Sequence, residues 1–65
     1  MKPEFVAELV LGRESYLAMQ HARISWPRIC QQVAIDLFVH KDTWSGSEYD
    51  MYCNSIREEM LRLGH

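Results

Sequence analysis

Tyr49, Tyr52, Cys53, Ile56, Met60 and Leu63 recur at intervals of three and four residues toward the end of the chain, with Asp50, Asn54, Arg57, Glu58 and Arg62 in the places between them. Side chains three and four apart share one face of an α-helix, whereas a half-buried strand needs strict alternation of apolar and polar residues. No such alternation runs between turn signals anywhere in the sequence. The chain is thereby restricted to helices, and a helix with one apolar stripe has to bury it against other helices.

Two further helical segments precede this one. The first covers about residues 3 to 21. Pro3 suits a first helical turn, and Glu4 and Glu8 suit its positive end. Phe5, Val6, Leu9, Val10, Tyr16 and Leu17 share a face that Arg13 and Gln20 interrupt, while Ala7, Leu11 and Ala18 lie opposite. Gly12, costing about 1 kcal/mol against alanine inside a helix, is a place for a kink or a break. After a short connection around Ala22 to Ile24, Ser25 reads as an N-cap with Trp26-Pro27 in the first turn. That second helix should reach about His40. Trp26, Ile29, Cys30, Val33 and Leu37 form its stripe, and Ile35, Phe38 and Val39 lie off it. Apolar residues on two sides mark a helix that is central in a fold or shared with a partner. Residues 41–47 form a polar loop, and Ser45 with Glu48, or Ser47 with Asp50, offers a capping-box start for the third helix. This helix should run to about Leu63, with Gly64 ending it and Glu58 paired to Arg62 one turn on.

The expected architecture is all-α: one domain over residues 1–65, about three helices, a helical hairpin plus a third helix. Ile29, Val33, Leu37, Tyr52, Ile56 and Met60 should be mostly buried, and Arg57, Glu58 and Arg62 exposed.

With 65 residues there is no room for a multi-part active site on a large scaffold. Cys30 and Cys53 both fall on apolar faces, where a reduced thiol acts as a small hydrophobe. Nucleophilic catalysis would need one of them exposed beside a histidine and an oxyanion site, and no glycine-rich turn exposes either. The three glycines are scattered, so no loop cradles a phosphate. His21, His40 and His65 stand at or near helix ends, but no Cys-x-x-Cys, His-x-x-x-His or His-Glu-x-x-His spacing is present. No catalytic residue, metal or cofactor is expected. Glu4 and Glu8 break up the apolar residues near the N-terminus, no stretch approaches about 18 apolar residues, and no lipidation signal stands at either end. These features lead to an expected cytoplasmic location with no membrane association.

The short connection between the first two helices also admits a helix-turn-helix. Arg28, Gln31 and Gln32 would then read base edges from the second helix, and Arg23 would meet a phosphate. Nine acids against seven bases give a net charge of −2, and the bases are not clustered, which weighs against this alternative. Trp44, a large aromatic in a polar loop, either folds back over the core or belongs to a contact surface.

Residues 24–64, ISWPRICQQVAIDLFVHKDTWSGSEYDMYCNSIREEMLRLG, resemble the small accessory proteins from the early regions of lambda-like temperate phages. The likeness lies in size, helical make-up and scarcity of lysine, and it carries over no functional residue. It implies a cytosolic, non-catalytic protein that binds and redirects host or phage machinery. The surplus of apolar residues on the first two helices adds the expectation of a homodimer, with Leu11, Ile35, Phe38, Val39 and Trp44 as interface candidates.

Overall fold

The structure is a computed structural model that describes residues 1–64, so the expectation for His65 lies outside the described residues. The described residues form four α-helices: α1 (Pro3–Leu11), α2 (Arg13–His21), α3 (Trp26–Val39) and α4 (Gly46–Arg62). A single 3₁₀ turn, Lys41–Thr43, links α3 to α4. Among the described residues there is no strand, and no helix is long and apolar enough to cross a membrane.

The fourth helix comes from Gly12, which splits the first segment. Its φ of 88° and ψ of 147° fall where a residue with a Cβ is strained. Gly12 serves both neighbours: its N–H bonds the Glu8 carbonyl at 2.9 Å, and its carbonyl accepts from the Tyr16 N–H at 2.9 Å.

The break also corrects the facing of α1. Val6 and Ala7 are fully buried and Val10 and Leu11 pack against the core, whereas Phe5 and Leu9 point to solvent. The expected stripe placed Phe5 and Leu9 inward because a continuous helix would align them with Tyr16. Once Gly12 resets the phase, Tyr16 enters the core from α2 without bringing Phe5 and Leu9 with it, and Leu17 is exposed.

The other two stripes hold. Ile29, Cys30, Val33 and Leu37 of α3 are buried against Tyr52 and Ile56 of α4, with Met60 half-buried beside them. The Trp26 indole N–H at the start of α3 donates to Glu59 near the end of α4 at 2.5 Å, so the two helices run antiparallel as a hairpin. Helix α1 packs against both α3 and α4, and α2 packs on α1.

Local signals decide the helix ends. Ser45 makes the complete capping box: its hydroxyl accepts from the Glu48 N–H at 3.2 Å, and its own N–H donates to the Glu48 carboxylate at 2.9 Å. Ser25 takes the N-cap position of α3 with extended backbone, but its hydroxyl makes no capping bond. Pro27 in the first turn leaves one fewer N–H there to satisfy. Past α4, Gly64 adopts φ 88° and its N–H bonds the Leu61 carbonyl at 3.0 Å.

Glu59 is only 8 % exposed. Its carboxylate accepts from Trp26 and from two nitrogens of Arg62, at 2.8 and 2.7 Å. Arg62 therefore pairs with Glu59, three residues back, rather than with Glu58 as the spacing suggested. The bonds from Arg62 first, and from Trp26 second, pull the Glu59 carboxyl down to about 2 from the usual 4.5.

Candidate interaction surface

The outward face of α3 changes character along its length. Arg28, Gln31 and Gln32 occupy its first half, and Ile35, Phe38 and Val39 its second. All six are exposed, because Cys30, Val33 and Leu37 already turn the opposite side of the helix to the core. Phe38 is 74 % exposed, the most of any large apolar side chain among the described residues.

Beside this apolar half, α3 and α4 leave a groove of about 280 Å³ open to solvent. Ala34 and Leu37 form one wall, and Cys53, Ile56, Met60 and Leu61 the other. Arg57 stands among the latter, its guanidinium held by the Asn54 side-chain oxygen. Helix α1 lines no part of the groove although it packs on both helices, so the groove opens on the side of the hairpin that α1 leaves uncovered. Phe38 stands one turn beyond Ala34 along α3, on the same side of the helix as that part of the groove wall.

Two of the five interface candidates turn inward. Leu11 is half-buried and packs against the core through the corrected facing of α1. Trp44 folds back over α4, its ring edge-on to Tyr52 with centroids 5.3 Å apart. Its indole N–H is buried without a hydrogen-bond partner among the described residues. The exposed set contracts to Ile35, Phe38 and Val39. The groove and Leu61, which is 65 % exposed, join them, and neither was visible from periodicity alone.

The residues of the DNA-reading alternative are exposed but differently engaged. Arg23 stands in the turn between α2 and α3 with φ 59°. Gln32 donates one side-chain N–H to Asp36 at 2.8 Å, which leaves one of its two amide donors for a base edge. The same bond fixes a carboxylate on the outward face, where it repels phosphate.

The cysteines are free thiols, Cys30 buried and Cys53 half-buried in the groove wall. Burial pushes the Cys30 thiol up to about 11, which keeps it protonated and weakly nucleophilic at neutral pH. Among the described residues no three His, Cys, Asp or Glu side chains come together as metal ligands would. His21 ends α2 and His40 caps α3, far apart in the sequence and each at its own helix end.

No protein-family model, curated protein or solved structure matches this chain significantly.

Proposed function

We propose that this chain is a non-catalytic protein–protein interaction module, an accessory or regulatory protein that binds host or phage machinery in the bacterial cytoplasm. The observation that carries the reading is the apolar half of the α3 outer face, Ile35, Phe38 and Val39, beside the open groove between α3 and α4. Each large apolar side chain left in water forgoes about 1.5–3 kcal/mol of burial, and contiguous apolar patches of this kind mark contact surfaces. The resemblance of residues 24–64 to small early-region phage proteins supports the same reading, and so does the absence of strong electrostatic bias in a chain of net charge −2.

A photoreactive phenylalanine analogue at position 38 tests it, with the same analogue at exposed position 58 on the polar side of α4 as the control. Irradiation in bacterial cells should give a discrete protein–protein adduct from position 38, insensitive to nuclease and lacking from position 58. Identical adduct patterns from the two positions would refute the assignment of this face.

A further inference from the structure

The α3–α4 face holds two features that are usually divided between partners. One is a projecting aromatic, Phe38, 74 % exposed. The other is an apolar groove of about 280 Å³ with a small residue, Ala34, in one wall. A groove alone fits a foreign helix, and a projecting ring alone fits a foreign pocket. A knob and a hole side by side on one surface meet the condition for an isologous contact, in which the same patch serves both copies.

We infer that the occupant of this face is a second copy of the chain, the two hairpins meeting about a two-fold axis with Phe38 of each seated in the α3–α4 groove of the other. This inference rests on the reading of the face as a contact surface and names its partner.

Ile35, Phe38, Val39 and Leu61 are 55, 74, 64 and 65 % exposed, four large apolar side chains toward the about 600 Å² per copy that the smallest specific two-fold contacts bury. A net charge of −2 per copy opposes the approach only weakly. Helix α1 already covers the other side of the hairpin, so the stacked hairpins complete a layered helical arrangement without displacing any part of the fold. The contact moves from the first two helical segments, where the sequence placed it, to α3 and α4. Leu11 takes no part because it packs against its own core.

Light scattering coupled to size exclusion, on the full chain between about 5 and 500 µM (about two decades, all above a micromolar dissociation constant), tests the inference. The wild type should show twice the 7.7 kDa chain mass. Phe38→Glu, and separately Ala34→Glu at the exposed groove wall, should raise the dissociation constant about a hundredfold and leave the helical circular dichroism unchanged. Phe5→Glu on the outer side of α1, where Phe5 is 54 % exposed, should stay dimeric. A wild-type mass of 7.7 kDa at the highest concentration overturns the inference, as does a dimer that withstands both groove variants or that Phe5→Glu dissociates. If Phe38→Glu does not fold, Ala34→Glu gives the reading, since it changes no core contact. Photo-crosslinking at position 38 separates this inference from the broader one. A monomer that forms an adduct with another protein sinks the dimer and leaves the interaction module standing. A dimer that forms only the self-adduct supports the dimer and removes the host or phage partner.

Discussion

Protonating Glu59 takes away the negative charge that holds Arg62 and weakens the acceptor of the Trp26 indole. Its folded carboxyl lies at about 2 against an ordinary 4.5, so the unfolded chain binds the proton more readily. The stabilisation is complete above the ordinary value and is lost as the pH falls from there toward 2. Thermal melts of the wild type should therefore fall in midpoint across that window, and Glu59→Gln should flatten the fall while lowering the plateau at neutral pH. A variant whose midpoint tracks the wild type at every pH would show that the carboxylate is not coupled to folding. The core gives a second expectation at this scale. Ile56 is 2 % exposed at the centre of the hairpin. Truncating it to alanine should cost about 2–5 kcal/mol, comparable to the whole stability of a domain this small. Urea denaturation at 25 °C should find Ile56→Ala largely unfolded, and an unchanged midpoint would mean that α4 is turned the other way.

At the scale of helices, Gly12 is the position where one substitution tests a boundary. Nothing lies within 4 Å of a Cβ built there, so the cost of Gly12→Ala is backbone strain alone. At φ 88° that strain is about 1–3 kcal/mol, and the denaturation midpoint should drop accordingly. A rise in helical content with no loss of stability would instead mean that α1 and α2 can fuse. The stripes of α3 and α4 were legible in the sequence because each lies within one unbroken helix, where the 3.6-residue period carries the phase from end to end. The facing of α1 was not legible, because its phase was read through Gly12 from Tyr16. Glu59 was missed although the signal was present: it follows Ile56 by three residues and Tyr52 by seven, inside the apolar stripe rather than across from it. Its partner Trp26 lies 33 residues away, a pairing that only the hairpin creates. The Ser45 box was one of two readings of the loop, and the structure chooses it. The groove had no signature in the sequence, because it lies on the side of the hairpin that α1 leaves uncovered, and only the packing of the helices decides which side that is.

For the molecule as a whole, the outer face of α3 predicts what the chain does not bind. Fluorescence anisotropy with a labelled 20-base-pair duplex of mixed sequence (about two helical turns) should show no binding at physiological salt, because Gln32 is tied to Asp36 and few bases gather on that face. Binding that weakens steeply with salt and is relaxed by Gln31→Ala with Gln32→Ala would restore the helix-turn-helix reading. The two tryptophans give the hairpin a pair of optical labels, one at each end. Trp26 reports on the open end, where α3 begins and α4 finishes, and Trp44 on the closed end, edge-on to Tyr52. They are not equally replaceable. Trp26→Phe strips Glu59 of a donor, whereas Trp44→Phe removes an indole N–H that has no partner among the described residues to lose. The Trp44→Phe chain, lit by Trp26 alone, is thus the gentler single-emitter variant, and its emission during a melt follows the unzipping of the hairpin from its open end.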